Sequence, residues 1–426
     1  MSDGAIGGRK PYQSQVRALA PARRRRQRQS REGRPARRWR RRLVRTAVVI
    51  ALCIAVSRQV NGAGGAFAAD LLRAVVGPSA TARIEATYLD LLDRIHAVQY
   101  SLGGRPVHAP WTVVSTTPAQ RTIASRSRSS TMAVQPRAPS SPMPLPAIPA
   151  PISPTLPGEG VWTTAGLPAA GPGAAPPLAK TFLRPDPARP YALATLLQAD
   201  LRLARLHMVA GTDQPGGPVG HPGSGLIPAA DTSGDRLLAV FNGGFKYADG
   251  AYGLMSGGVV YVRPVWGAAT VAVTRSGGVF MGAWGKDHRL TTANRGLVAW
   301  RQNAGLLIDR GRITAQTQDG SAWGLSILNS AYTWRSGIGL TKRGTLLYVA
   351  GSWLSAATLA QTLHAAGAVT AMQLDINPNW VRAFTYGRDG QGTLVAWALD
   401  PAMPGIGMEY MYGNARDFFY LTRAAG

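Results

Sequence analysis

The stretch from Trp334 to Tyr386 constrains the fold of this 426-residue chain more than any other part of it. It contains an apolar strand pattern at 344–350, a helical pattern at 355–366, and a second strand that ends on Asp375. This order predicts a β-α-β unit. A carboxylate that ends a strand after a crossover helix stands where ligands gather in such sheets, although it can equally be a cap or turn residue.

The formal net charge of +26 is concentrated at the start of the chain. Residues 1–45 hold fifteen Arg and one Lys but only two acidic residues, Asp3 and Glu32. Such blocks are solvated and disordered, and they bind polyanions without sequence preference. The block alone is the basis for a nucleic-acid-binding hypothesis, and no specific nucleic acid partner is predicted.

An apolar segment at 46–68 follows the basic block directly. Its uninterrupted apolar run is about half of the roughly 20 residues that a spanning helix needs. Three interpretations remain: an uncleaved signal-anchor, a signal peptide cleaved after Ala68, and a buried soluble helix. The first two place the Arg block in the cytoplasm and the rest of the chain outside. Cys53, the only cysteine, excludes an internal disulfide and a thiolate metal site.

Two segments separate this region from the rest of the chain. Residues 69–102 show apolar positions at helical spacing, which predicts an amphipathic helical stalk or a helix that packs on a partner. Residues 103–180 are rich in Pro, Ala and Ser, and a sequence of this kind buries too little apolar surface to offset its chain entropy. We expect an extended spacer there, with order only near 158–162.

The remaining residues, 181–426, are predicted to form an α+β domain. Short apolar runs alternate with Gly-, Asn- and Asp-containing turns, and the clearest helix lies at 355–366. The expected fold is a mixed, strand-rich sheet domain with a few short helices. Leu306–Asp309 and Arg312–Ile313 predict a hairpin within it.

Three groups of residues could carry chemistry in this domain. Asn242-Gly243-Gly244 follows a buried strand, and glycines let backbone N–H groups approach a ligand closely, although a tight turn explains them equally well. Lys246 and Arg335 could pair with an anion or lie at the surface. Asp375 is the candidate carboxylate.

In this order the motifs resemble the phosphodiester glycosidase family. The resemblance rests on Phe-Asn-Gly-Gly-Phe at 241–245, Arg-x-x-Ile-Gly at 335–339, a Leu-Ala-x-x-Leu helix at 359–363, and Leu-Asp at 374–375. The family includes bacterial exported proteins linked to exopolysaccharide. The resemblance implies hydrolysis of a sugar linked through its anomeric carbon to a phosphodiester, in extracellular or cell-envelope glycans.

Site roles follow from this resemblance. Asp375 is the candidate nucleophile or base, and Asp309 is a second candidate carboxylate. Lys246, Arg335 and the amides of 242–244 would hold the phosphate. No cofactor is predicted, and a divalent metal is left open because no ligand motif supports one.

One departure from the family pattern affects the substrate. Many members follow Leu-Asp with a run of glycines and two serines, whereas this chain has Ile-Asn-Pro-Asn-Trp at 376–380. Asn377 and Asn379 could bond a sugar and Trp380 could stack on it. The same change is compatible with a second hypothesis, in which the chain is a non-catalytic glycan-binding or envelope-assembly protein on the same fold.

Overall fold

Short buried strands separated by turns make up most of the folded part of the chain. The computed structural model describes residue 91 and residues 93–103, 107–111, 146–168, 175–214, 216, 222–323 and 332–424, all within the unit Val60–Gly426. The predicted basic tail at 1–45 and the predicted anchor or signal at 46–68 lie outside the described residues. Among the residues that are described, no helix is long and apolar enough to cross a membrane.

Seventeen strands are present in the described residues. They are β1 Leu178–Leu183, β2 Ala194–Asp200, β3 Ala204–Val209, β4 Leu237–Asn242, β5 Leu254–Ser256, β6 Val259–Val262, β7 Ala269–Thr274, β8 Val279–Ala283, β9 Leu297–Asn303, β10 Leu306–Asp309, β11 Arg312–Ile313, β12 Thr333–Thr341, β13 Thr345–Leu354, β14 Ala368–Gln373, β15 Ala383–Arg388, β16 Leu394–Ala398 and β17 Phe418–Arg423.

Helices are few and short, as expected. Helix α1 comprises residues 91 and 93–101, α2 is Ala229–Thr232 and α3 is Ala356–Ala365. Four 3₁₀ turns are described at Tyr247–Asp249, Ala315–Gln318, Gly320–Trp323 and Met408–Met411. The prediction of a strand-rich domain with few short helices is therefore confirmed.

The strands form three sheets. Their orders are β1-β2-β13-β12-β14-β10-β11, β16-β15-β4-β17-β3 and β6-β5-β9-β7-β8. Every pairing between these named strands is antiparallel, including the predicted β10–β11 hairpin. No two of these named strands form a parallel ladder.

The β-α-β unit is split by a third strand. β13 and β14 both pair with β12, one on each side of it, so α3 crosses over β12 between two parallel but non-adjacent strands. Ser355 caps α3 through a reciprocal capping box with Thr358, which satisfies two orphan donors of the first turn. Leu359 and Leu363 of α3 are fully buried against the sheet.

Part of the predicted spacer is packed on the domain. Ile148 is buried, and its backbone N–H donates to the carbonyl of Gly160. Glu159 forms a buried ion pair with Arg184 at 2.8 Å. The predicted spacer at 103–180 therefore includes an ordered segment, 146–168, and strand β1 begins at Leu178 rather than after residue 180. The reason is that Ile148 and Glu159 of this segment have buried partners on the domain at 181–426, called the head below.

The sheets meet where three strand ends converge. The carboxyl end of β4 lies beside the amino ends of β15 and β17, because Phe241 pairs with Ala383 and Asn242 with Phe418. The chain leaving β14 joins them there, since the N–H of Asp375 donates to the carbonyl of Gly243. The residues that leave or enter these strands therefore surround one point.

Candidate functional site

A depression with about 210 Å³ of empty space, including its open mouth, lies at this convergence point. It combines cationic, anionic and aromatic side chains, which is typical of a site that orients a polar ligand. Its lining residues are Asn242, Gly243, Asp375, Trp380, Arg382, Tyr410, Asn414, Arg416 and Asp417.

Asp375 is held in place by hydrogen bonds to both of its carboxylate oxygens. Oδ1 accepts from the backbone N–H groups of Ile376 at 2.7 Å and Asn377 at 2.9 Å. Oδ2 accepts from Nη2 of Arg416 at 2.5 Å, and the residue is 4% exposed. These three hydrogen bonds fix the orientation of the carboxylate.

Arg416 links Asp375 to the glycine turn after β4. Its Nη2 also donates to the carbonyl of Gly244 at 2.9 Å, and its own backbone N–H donates to Oδ1 of Asn414. Its Nε is buried and has no hydrogen-bond partner within the described part of the chain. An unsatisfied buried N–H is costly, so this atom marks a place where an acceptor from outside the chain would be stabilised.

Trp380 forms one wall of the pocket between two guanidinium groups. The guanidinium carbon of Arg382 lies 4.9 Å from its ring centroid, and that of Arg416 lies 5.2 Å away. The indole Nε1 is buried and, in the residues described, has no hydrogen-bond partner. Glu409 fixes Arg382 in an ion pair at 2.6 Å. Burial raises the pKa of the neighbouring Tyr410, which keeps its hydroxyl neutral.

Asp417 forms the floor of the site with Arg301, and both side chains are fully buried. Oδ2 of Asp417 accepts from Nε of Arg301 at 2.8 Å. Arg301 also donates to the carbonyls of Phe245 and Gln302. Because Arg301 belongs to β9 and Asp417 precedes β17, this pair ties two sheets together beneath the pocket.

The predicted Asn-Gly-Gly group lies at the site, but its polar atoms already have partners. Asn242 donates to Gly243 O and to Ser336 Oγ, and its Oδ1 accepts from the Tyr348 hydroxyl. The backbone N–H groups of Gly243 and Gly244 donate to Asp417. The glycines therefore allow close approach by an internal carboxylate, rather than presenting free amides to a phosphate.

Arg335 does not line the pocket. Adjacent strand residues point to opposite faces, and Ser336 faces Asn242, so Arg335 points to the α3 side of the sheet. There it donates to Gln373 Oε1 at 2.6 Å and to the carbonyl of Leu354 at 3.0 Å. Burial lowers its pKa to about 10, which leaves it charged at neutral pH. The structure therefore gives it a place in the core beside Gln373.

Asp309 is exposed and lies at the far end of β14. In the turn after it, the N–H of Gly311 donates to the carbonyl of Val369. At the usual rise per strand residue, Val369 lies about 20 Å from Asp375. Lys246 is half-buried and is not among the lining residues. The structure brings neither of them to the pocket.

The loop that follows Asp375 contributes one wall. Its Trp380 lines the pocket as the sequence suggested, whereas Asn377 and Asn379 do not. Oδ1 of Asn377 accepts from the backbone N–H of Asn379 at 2.9 Å, which closes a tight turn. The residue that follows this turn, Trp380, brings its indole to the pocket.

Sequence reasoning missed five of the lining residues: Arg382, Tyr410, Asn414, Arg416 and Asp417. The only local signal for them is a charged Arg-Asp pair directly before the apolar run of β17. This pair reaches the pocket only because β17 lies beside β4, and the paired residues of these strands are more than 170 positions apart in the sequence.

Substituting Gly243 by alanine should disturb this site from within. A Cβ there would lie 1.9 Å from Oδ2 of Asp417, well inside contact distance, so the carboxylate or the backbone must move. We expect the free energy of unfolding to fall by about 1–3 kcal/mol, the usual cost of overpacking. Urea unfolding measures it, and Gly390→Ala, where φ is not positive and no atom lies within 4 Å of the added Cβ, is the matched control. An unchanged midpoint for Gly243→Ala would contradict this packing.

Comparison with known proteins connects this site to a family. The family model for phosphodiester glycosidase matches residues 235–375, which run from just before β4 to the pocket carboxylate. The resemblance in the sequence is confirmed over this range. No curated protein sequence matches the chain significantly.

Solved structures also align with this chain, at low similarity. The catalytic domain of zebrafish N-acetylglucosamine-1-phosphodiester alpha-N-acetylglucosaminidase, auto-inhibited by its pro-peptide, is 17% identical, with 59% of this chain and 85% of that chain covered and a TM-score of 0.39. A hypothetical protein from Synechocystis is 13% identical, with coverages of 59% and 65% and a TM-score of 0.33. A putative exported protein from Burkholderia pseudomallei is 11% identical, with coverages of 54% and 74% and a TM-score of 0.26. These alignments are too weak to carry a functional argument.

Proposed function

We propose that the domain at 181–426 hydrolyses a sugar-1-phosphodiester in an extracellular or cell-envelope glycan. One observation carries this proposal. Two arginines, Arg382 and Arg416, line the same pocket as Asp375, the carboxylate at the end of the family match. Positive charge beside a fixed carboxylate is the combination that cleavage of a glycosyl phosphate requires.

The cationic side of the pocket would bind the phosphate. Arginine is suited to this because its planar guanidinium presents several donors to phosphate oxygens at once. The buried Nε of Arg416 and Nε1 of Trp380 have no hydrogen-bond partner among the described residues, and phosphate oxygens would satisfy both. In this proposal Arg382 and Arg416 take the role that the sequence gave to Arg335 and Lys246.

Asp375 would act at the anomeric carbon. The bond that breaks joins C1 of the sugar to the phosphate oxygen, and water supplies the new oxygen and two protons. The products are a free sugar and a phosphate monoester, whose low basicity makes it a good leaving group. Asp375 would serve as nucleophile or as base for the water. Arg416 donates a hydrogen bond to Asp375, so the arginine that would bind the phosphate also holds this carboxylate in place.

The substrate and the location of the domain are linked in this proposal. A signal-anchor at 46–68, with the basic tail in the cytoplasm, would hold the domain outside the cell membrane. Cleavage near Ala68 would instead release it. Either arrangement exposes the pocket to extracellular glycans.

One observation favours a second candidate, a non-catalytic glycan-binding protein. The pocket is small, because its empty space of about 210 Å³ already includes open solvent at the mouth. In addition, the bulky Trp380 lies in the loop where many family members have a run of glycines and two serines. A pocket of this size would hold the phosphate group and leave the sugar at its mouth.

The experiment that tests the proposal is turnover of chromogenic and UDP-linked sugar phosphodiesters by the full chain. We expect release of sugar and phosphate monoester by the wild type, and none above background by Asp375→Asn. Thermal unfolding of the variant shows whether it is folded. Absence of turnover by the wild type on every substrate, with glycan binding retained, would support the binding protein instead.

A further inference from the structure

Helix α1 and the turn that follows it expose an apolar stripe, formed by Leu91, Ile95, Val98 and Leu102. Their side chains are 50%, 40%, 55% and 79% exposed, respectively. Successive members of the stripe are four, three and four residues apart. In the sequence the same alternation continues upstream through Tyr88 and Ile84, which lie outside the described residues.

The opposite face of α1 is already occupied by the head. Asp93 forms an ion pair with Arg189 at 3.0 Å and accepts a hydrogen bond from the Tyr191 hydroxyl at 2.6 Å. His96 packs edge-on against Trp353, with ring centroids 5.0 Å apart. These contacts fix the rotation of the helix, so the stripe is turned away from the domain that carries it.

Alternating spacings of three and four residues are the pattern of the a and d positions of a coiled coil. An apolar face that packs on a globular core is usually wider and less regular. With Ile95 and Leu102 at a positions and Leu91 and Val98 at d positions, the head-facing residues Asp93 and His96 fall at f and b, which point away from a coiled-coil seam. The two faces are therefore compatible: one helix can hold its own head and pair with another helix at the same time.

We propose that a second copy of this chain covers the stripe, with the two α1 helices parallel. An identical copy supplies the same alternating stripe, so the interface is self-complementary about a two-fold axis. Parallel pairing sets Arg94 at position g against Gln99 at position e of the other copy, which brings no like charges together. It also agrees with the proposed anchor, from which both copies would leave the membrane in the same direction.

The first test is the mass of the purified full chain in detergent. We expect two chains for the wild type and one chain for Ile95→Lys/Val98→Lys, because two charges would be buried in the seam. Both positions are exposed in the single chain, so the substitution leaves each subunit folded. Ala97→Lys is the matched control: it is exposed on the same helix but off the stripe, and it should keep the mass of two chains.

The second test identifies the register and the orientation. In a Cys53→Ser background, Val98→Cys should form an intermolecular disulfide under mild oxidation, because parallel d positions face their own counterparts at bonding distance. Ala97→Cys should not form one.

Several results would overturn the proposal. These are a single-chain or larger assembly for the wild type, a two-chain mass that persists in Ile95→Lys/Val98→Lys, or equal cross-linking at 97 and 98. Stripe-dependent binding to anionic vesicles by a single-chain wild type would assign the stripe to a lipid surface instead.

Discussion

Asp417→Asn should lower the free energy of unfolding by about 3–5 kcal/mol, the usual cost of breaking one partner of a buried ion pair. Both side chains of the Asp417–Arg301 pair are fully buried, so the substitution leaves a guanidinium charge in the core without a counter-ion. Asparagine keeps the shape of the side chain, which separates the loss of charge from a loss of packing. Urea unfolding followed by circular dichroism measures the change.

A surface pair provides the control for this prediction. Asp200 and Arg202 lie 2.6 Å apart, but the arginine side chain is 78% exposed. Exposed pairs typically contribute about 0–1 kcal/mol, so Asp200→Asn should change the unfolding midpoint little. Equal shifts of the unfolding midpoint for the two substitutions would show that the Asp417–Arg301 pair does not stabilise the contact between the two sheets.

Arg416→Lys should reduce kcat/KM for the sugar phosphodiester by about 10²–10³-fold, the effect of removing one preorganised donor at a reacting group. The arginine bonds Gly244 O and Asp375 Oδ2 through one nitrogen while its buried Nε remains without a partner among the described residues. A lysine ammonium keeps the charge beside Asp375 but is a single point donor, so it cannot also reach the pocket. Steady-state kinetics on the substrate that the wild type cleaves measure the loss.

Arg388→Lys is the matched control for this second prediction. Arg388 lies on β15, the strand that Arg382 precedes, but it is exposed and bonds the backbone of surface turns. It should retain wild-type kcat/KM, and both variants should unfold at similar urea concentrations. If Arg416→Lys retained full activity while folded, Arg416 would have no role in phosphate binding.

Much of the domain was predictable from local sequence. Buried strands such as Leu237–Asn242 are marked by apolar runs between turn residues, and α3 is marked by Ser355, its apolar face and Gly367. The four motifs in their order, from Asn-Gly-Gly at 242–244 to Leu-Asp at 374–375, indicated the family and one pocket carboxylate. These features depend on neighbours within a few residues, which is the range over which local patterns carry information.

The assignment of charges to the pocket was not predictable in this way. Arg335 lies within an apolar strand and Arg416 lies two residues before one, and neither position shows which arginine reaches the pocket. The tertiary structure separates them, because the strand alternation of β12 turns Arg335 toward α3, whereas β17 pairs with β4 and brings Arg416 to Asp375. The sequence by itself determined many of the strands, the capped helix and the helical spacing of apolar residues at 69–102. Only the pairing of strands distant in the chain decided which arginine meets the carboxylate, because that contact depends on sheet order rather than on spacing.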